Sequence, residues 1–167
     1  ATWNVAASGD WSNPANWNSG FVPNGNDLIN IAGSSNTTMN NDLTGGALNQ
    51  WQLFFNAGAG AFTLNGNAVT FFDFGGANPK IENNSSNLQT INFNVTMDGA
   101  GTGGNAEINP VSGDLHFGGA VTLADTTVLN VWGGNGRTVT FNSGLTASTF
   151  GQLLLNQKST TVLNGTS

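Results

Sequence analysis

The chain has 167 residues, of which only 7% are charged, and three basic residues against nine acidic ones give a net charge of -6. So few Lys and Arg residues exclude a nucleic-acid-binding protein and a polybasic membrane-surface protein. A hydrophobic content of 38% argues against intrinsic disorder, and the length suits a single domain. The polar character comes from neutral side chains, chiefly 27 Asn and 19 Thr.

The sequence predicts an exported protein that does not insert into a membrane. No apolar run approaches the roughly 18 residues of a transmembrane helix. The chain opens at Ala1-Thr2-Trp3 without a basic or apolar leader, which is what cleavage of a signal peptide after a small residue leaves. We therefore expect an extracellular or cell-surface location after signal-peptide removal.

Short strand-like segments closed by Gly, Asn or Asp recur along the chain, whereas no segment has the 3.6-residue period of a helix. In chain order the predicted strands cover residues 27–31, 50–55, 62–64, 68–72, 80–82, 90–96, 114–117, 120–123, 127–132, 137–141, 152–155 and 160–163. Many of them alternate apolar residues with Thr or Asn, which predicts one buried face and one wet, nearly uncharged face.

A β-sandwich and a parallel β-helix both fit this alternation, and three features favour the β-helix. The segments recur about every 18 to 24 residues, which is typical of a solenoid. The turns between them are irregular rather than two-residue hairpins. Stacked Asn and Thr side chains form hydrogen-bonded ladders, and a low charge avoids repulsion between stacked positions. The recurrence is seen in Phe54, Phe72, Phe93, Phe117 and Phe141.

A tryptophan motif stands at the N-terminus. Trp3, Trp11 and Trp17 form the pattern W-x7-W-x5-W, followed by Val22-Pro23 and Asp27. This opening resembles that of bacterial exported proteins built from autotransporter-associated β-strand repeats, and residues 121–123, 139–145 and 161–165 are similar to the loose repeats of that family. The resemblance implies export, a right-handed parallel β-helix and no catalysis.

Residues 1–26 are predicted to form a cap on a solenoid domain that covers residues 27–167. A solenoid end exposes unpaired strand edges and an open core, and a segment with three Trp and little strand pattern can cover them. At the other end the strand-like segment containing Thr161, Val162 and Leu163 is followed by no cap. We expect this end to pair with the next copy of the chain, with the N-terminal tryptophans contributing apolar contacts.

The sequence offers little for catalysis and predicts no metal site and no cofactor. His116 is the sole histidine, and Asp114, two residues away, gives an acid–base pair only weak support. With one His and no Cys, a zinc site built from several such ligands is excluded. The remaining acidic residues are scattered singly along the chain, and Arg137 is the only arginine.

Aromatic residues are the best candidates for a ligand or an interface. Alternation in residues 50–55 places Trp51, Leu53 and Phe55 on one face and Phe54 on the other. If the first set is buried, Phe54, Phe72 and Phe74 form an outward strip, and Trp132 points outward as well if Leu129 and Val131 point inward. Exposed aromatics bind protein or stack on sugar rings; the alternative is that a bulge reverses the alternation and buries them.

These observations predict a non-catalytic extracellular β-solenoid that serves as a structural or adhesive unit and assembles end to end with copies of itself. The alternative is a carbohydrate-binding module that recognises a neutral polysaccharide through the exposed aromatics. Ice binding ranks third, because the threonines do not form a strict T-x-T array in the sequence.

Overall fold

The computed structural model describes residues 1–3, 5, 8–18, 20–35, 37–100, 104–148, 152–155 and 159–165. The chain forms a parallel β-solenoid of about six turns, as the sequence predicted. Each full turn contributes one strand to each of three parallel sheets, which enclose a single core. Two short 3-10 helices, Pro14–Asn16 and Gly45–Leu48, are the helical segments in the described ranges.

Strands at equivalent places in successive turns pair in parallel, so each sheet runs along the solenoid axis. Sheet 1 contains β1 (Thr2–Trp3), β3 (Leu28–Ile31), β6 (Gln52–Phe55), β9 (Lys80–Asn83), β12 (Asn105–Pro110), β15 (Val128–Val131) and β18 (Gln152–Leu155). Sheet 2 contains β2 (Gly9–Asp10), β4 (Thr37–Asn41), β7 (Phe62–Gly66), β10 (Gln89–Ile91), β13 (Leu115–Phe117), β16 (Thr138–Phe141) and β19 (Thr160–Leu163). Sheet 3 contains β5 (Asn49–Gln50), β8 (Val69–Phe72), β11 (Val95–Asp98), β14 (Val121–Leu123) and β17 (Leu145–Ala147).

The core is built from in-register columns of apolar side chains, because alternate residues of every strand point to the same side. In sheet 1, Leu53, Ile81 and Ile108 lie above one another, and all three are buried. In sheet 2 the rings of Phe117 and Phe141 stack with centroids 5.2 Å apart and planes 10° from parallel. Burial of such columns is the main force that holds successive turns together.

Outside the core, neutral polar residues form the predicted ladders. On sheet 2 the amide of Asn92 donates to Oδ1 of Asn65 at 2.8 Å. On sheet 3 the hydroxyls of Thr122 and Thr146 lie 3.2 Å apart. Each such bond joins identical side chains on neighbouring turns.

The length of a turn differs from the prediction. Register partners in successive turns lie 21 to 30 residues apart, so the turns overlap the predicted 18 to 24 residues at the short end and exceed them at the long end. The phenylalanines that suggested the shorter period do not form one column, because Phe54 pairs with Asn30 and Glu82 in sheet 1 while Phe72 belongs to sheet 3. Of that series, Phe117 and Phe141 are register partners.

One predicted strand is two strands joined by a corner. In residues 90–96 the inward residues Ile91, Phe93 and Val95 are all buried, as alternation predicted. However, β10 ends at Ile91 and β11 starts at Val95, so the chain passes from sheet 2 to sheet 3 between them. The alternation continues through this corner, and for that reason the sequence pattern does not reveal it.

The N-terminal segment contributes to the solenoid itself. Its β1 and β2 pair in parallel with β3 and β4 and supply the first strands of sheets 1 and 2. Trp3, Trp11 and Trp17 are buried, and Trp17 meets each of the other two edge to face, at 5.3 and 5.9 Å. This buried cluster lies at the first turn, which is the position a cap would occupy; the capping role itself stays a prediction.

Candidate functional site

Three aromatic residues meet at the corner between sheets 3 and 1. The ring of Phe74 lies 6.2 Å from that of Trp51 and 6.5 Å from that of Phe72, both edge to face. Phe74 is 44% exposed, and the other two are half-buried. We call Trp51, Phe72 and Phe74 the aromatic corner.

The inclusion of Trp51 in this corner differs from the expected alternation. The sequence placed Trp51 on the same face as Leu53, but Trp51 occupies the bend between β5 and β6. Gln50 before the bend is buried, and Leu53 beyond it is buried too, whereas Trp51 stays half-exposed beside Phe74. The bend therefore adds a third ring to the pair that alternation predicted.

A groove with a volume of about 300 Å³ adjoins the aromatic corner on the outer face of sheet 3. Its lining combines one aromatic ring with amide, hydroxyl and carboxylate groups, and consists of Asn49, Thr70, Phe72, Asp73, Asp98 and Ala100. The parallel register places Asp98 beside Phe72, and the amide N–H of Asp73 donates to the carbonyl of Asp98. The fold thus brings two carboxylates from neighbouring turns of the solenoid to one groove.

The chemistry of this groove fits a sugar. The ring faces of Phe and Trp stack on the flat apolar face of a pyranose, and amide, hydroxyl and carboxylate oxygens accept hydrogen bonds from sugar hydroxyls. A small number of polar groups beside aromatic surface is the usual composition of a small-molecule site.

Phe54 and Trp132 lie apart from this corner, on sheet 1. Phe54 is half-buried on β6, and Trp132 follows β15 and is 48% exposed. Glu82 and Asn109 occupy the next two positions in the column that contains Phe54, so two turns separate Phe54 from the turn that contains Trp132. The predicted outward strip is therefore divided between two faces of the solenoid.

Sheet 1 carries a charged network between these two aromatics. Nζ of Lys80 lies 3.0 Å from the Glu107 carboxylate and 3.9 Å from that of Glu82. Asn109 donates to both carboxylates at 3.3 Å, and Asn78 donates to Glu107 at 2.9 Å. The register pairs Glu107 with Lys80 and Glu82 with Asn109, so the network places one cation beside two carboxylates that lie in adjacent columns of neighbouring turns.

The network shifts the ionisation of Glu107. Burial alone would raise the pKa of the Glu107 carboxyl, but hydrogen bonds from Asn78 and Lys80, together with the positive charge of Lys80, outweigh it and hold the pKa below its ordinary value. The sequence did not reveal this contact, because residues 105–110 were not predicted as a strand. Alternation of buried Ala106 and Ile108 with Glu107 was the signal available.

His116 and Asp114 do not form an acid–base pair in this structure. Oδ1 of Asp114 accepts a hydrogen bond of 2.9 Å from the backbone N–H of Thr138. His116 stands half-exposed in a column of sheet 2 between Thr90 and Thr140. Asp114 therefore ties neighbouring turns together.

The residues predicted for assembly lie at opposite ends of the solenoid. Thr161, Val162 and Leu163 belong to β19, which pairs with β16, and Leu163 is 50% exposed. The N-terminal tryptophans are 0 to 4% exposed, so their rings have almost no surface to offer another copy. Any contact between copies would have to use other residues at that end.

Within the described ranges, no group of three or more His, Asp or Glu residues could hold a metal ion. No helix in the same ranges is long and apolar enough to cross a membrane. Comparison with protein-family models, curated proteins and solved structures finds no match for the chain. The fold and the geometry of its surface therefore carry the argument about function.

Proposed function

We propose that the protein is a non-catalytic, extracellular β-solenoid that acts as an adhesive unit by binding neutral polysaccharide. The observation that carries this proposal is the aromatic corner beside a polar groove on a rigid parallel sheet. Rings held by their neighbours lose little conformational entropy when a ligand binds, which favours adhesion.

Charge supports a neutral ligand over an acidic one. The chain has a net charge of -6, and the groove contains Asp73 and Asp98. An acidic polysaccharide would be repelled both by the whole molecule and by the groove. A neutral glycan meets no such repulsion and finds hydrogen-bond acceptors.

The absence of catalysis is part of the proposal. Glycoside hydrolysis needs a pair of carboxylates that flank the scissile bond, one of them available as an acid. The paired carboxylates Glu82 and Glu107 are both held by Lys80 and Asn109, and the pKa of Glu107 lies below its ordinary value. Such a carboxyl is ionised near neutral pH and is poorly suited to donate a proton.

Affinity electrophoresis against a panel of neutral polysaccharides tests the proposal. We expect retention of the native protein by at least one of them and loss of about 1 kcal/mol, roughly fivefold in Kd, for Phe74→Ala, because one stacking surface is removed. Leu88→Ala is the matched control: Leu88 is 50% exposed and lies outside the aromatic corner and its groove. Absence of retention throughout the panel, or equal retention of both variants, would contradict the proposal.

A reducing-end assay on the retained polysaccharide tests the non-catalytic part. We expect no products above background. Turnover by the native protein that disappears in Asp73→Asn or Asp98→Asn, the carboxylates of the groove, or in Glu82→Gln or Glu107→Gln would replace the binding module with an enzyme.

A further inference from the structure

The outer face of sheet 2 carries a two-dimensional array that the sequence alone did not reveal. Strands β4 and β7 each present a Thr and, two residues later, an Asn. Thr90 of β10 and Asn92, directly after β10, repeat this pair, so that like residues lie side by side. We call these six residues the hydroxyl–amide array: Thr38, Asn40, Thr63, Asn65, Thr90 and Asn92.

Both repeats of the array are set by the sheet. Neighbouring strands lie about 4.8 Å apart, and residues i and i+2 of one strand are about 6.6 Å apart. Ser8 and Asp10 extend the same two columns toward the N-terminus, where Asp10 pairs with Asn40. His116 and Gly118 interrupt the columns at β13, so the regular patch covers the first four turns.

The amide column of the array is fixed by hydrogen bonds along the solenoid. Asn92 donates to Asn65 at 2.8 Å, and Asn40 donates to Asp10 at 2.8 Å. The hydroxyls of Thr63 and Thr90 make no hydrogen bond within the described part of the chain, unlike those of Thr122 and Thr146 on sheet 3. The array therefore combines oriented amides with hydroxyls that are left to bind water.

A shallow depression of about 270 Å³ runs beside the hydroxyl column. It is lined by Ser8, Thr37, Thr38, Ala61 and Thr63. The hydroxyl oxygen of Thr37 is buried and has no hydrogen-bond partner within the described residues. A polar depression of this size with an unsatisfied hydroxyl suits bound water.

We propose that the hydroxyl–amide array binds the surface of ice. The array has no aromatic ring on which a sugar could stack and no net charge of its own to attract an ionic ligand, which separates it from the aromatic corner. Rigid hydroxyls and amides at two constant repeats, comparable to the spacings between oxygens on a face of hexagonal ice, order water in the plane of the sheet. The occupant that matches such a surface is an ordered layer of water continuous with ice.

Thermal hysteresis and ice-crystal shape, measured on the intact protein, test this site. The variant Thr90→Lys places a long cation in the hydroxyl column of the array, on its last strand, β10. The matched control is Thr96→Lys, because Thr96 is an equally half-exposed outward Thr of the same turn but lies on sheet 3. We expect measurable hysteresis and faceted crystals for the native protein, at least a fivefold loss in Thr90→Lys, and native behaviour in Thr96→Lys.

Circular dichroism of both variants checks that each remains folded; if Thr90→Lys does not fold, Asn65→Ala replaces it with the same expectation. Absence of hysteresis in the native protein overturns the inference, as does an equal loss in the array variant and in Thr96→Lys. Retention on polysaccharide is measured in parallel and should be unchanged in Thr90→Lys. Failure of ice binding would therefore be distinguishable from failure of the proposed adhesion.

Discussion

At the scale of single residues, the structure shows how a solenoid accommodates charge on a stacked face. Identical positions lie about 4.8 Å apart in parallel sheets, so two like charges in one column repel strongly. In the network on sheet 1, the positively charged Lys80 lies between the carboxylates of Glu82 and Glu107. The sequence minimises charge elsewhere and neutralises it here.

Replacement of Lys80 by Met should destabilise the fold in a pH-dependent way. The side chains of Lys80 and Glu107 are 25% and 19% exposed, so the pair lies between a surface ion pair and a buried one, and we expect a loss of about 1–2 kcal/mol near neutral pH. Because folding lowers the pKa of Glu107, the stability it contributes is present above the pKa of the unfolded chain and is lost as the pH falls through the folded pKa.

Urea denaturation at neutral pH and at an acidic pH below the folded pKa of Glu107 measures this difference, because protonation of that carboxyl removes its interaction with Lys80. The gap between native protein and Lys80→Met should narrow there. The control is Arg137→Met, a cation without an ion pair among the described residues, and it should cost little at either pH. A gap of equal size at both pH values would show that Lys80 acts through packing.

At the scale of structural elements, the corners rather than the strands set the detail of the surface. Alternation correctly predicted which side chains of most strands face the core, because the strand period is two residues whatever the strand pairs with. It did not predict the bend at Trp51 or the corner between β10 and β11, since the inward–outward pattern continues through the corner. The aromatic corner arises from such a bend.

The corner between β7 and β8 requires a glycine. Gly66 has a φ of +109°, and a Cβ at this position would lie 2.2 Å from the carbonyl oxygen of Asn41 on the previous turn. A larger residue at this corner would separate the turns.

The tryptophans of the first turn should contribute more to stability than any exposed tryptophan. Trp11 is fully buried, contacts Trp17 and Phe93, and offers its carbonyl to Nε1 of Trp17 at 2.7 Å. Replacement by Ala should cost about 3–5 kcal/mol, because it leaves a large cavity at the end of the core. Urea denaturation compares it with Trp132→Ala, where the ring is 48% exposed and the expected cost is below about 1 kcal/mol.

Equal losses in these two variants would mean that the N-terminal cluster is not part of the cooperative core. In that case the capping prediction would be wrong, since a cap must stabilise the turns that it covers.

At the scale of the whole molecule, one solenoid presents three faces with different chemistry. Sheet 1 carries a compensated ionic network, the corner of sheets 3 and 1 carries aromatics beside a groove, and sheet 2 carries the hydroxyl–amide array. A solenoid can keep such faces separate because each column of residues repeats along the axis on its own sheet. The proposals for polysaccharide and for ice therefore use different surfaces of one rod.

End-to-end assembly stays a prediction, and it belongs to this scale. We expect sedimentation velocity to show a concentration-dependent polymer that Leu163→Lys weakens, because Leu163 on β19 is 50% exposed and a charge there opposes an apolar contact. Leu88→Lys, at a side position of the same 50% exposure, is the control. A monomer at all concentrations, or equal behaviour of the two variants, would contradict assembly.

The amino-acid sequence by itself predicted the parallel β-solenoid from recurring segments, irregular turns and low charge. The inward and outward faces of most strands followed from the two-residue period, and the nearly uncharged surface followed from composition. Only the tertiary structure decided which residues of neighbouring turns lie side by side, such as Lys80 with Glu107, Trp51 with Phe74, and Thr38 with Thr63. The physical reason is that corners of varying length make the turns unequal, so register partners lie 21 to 30 residues apart, and local alternation contains no information about that distance.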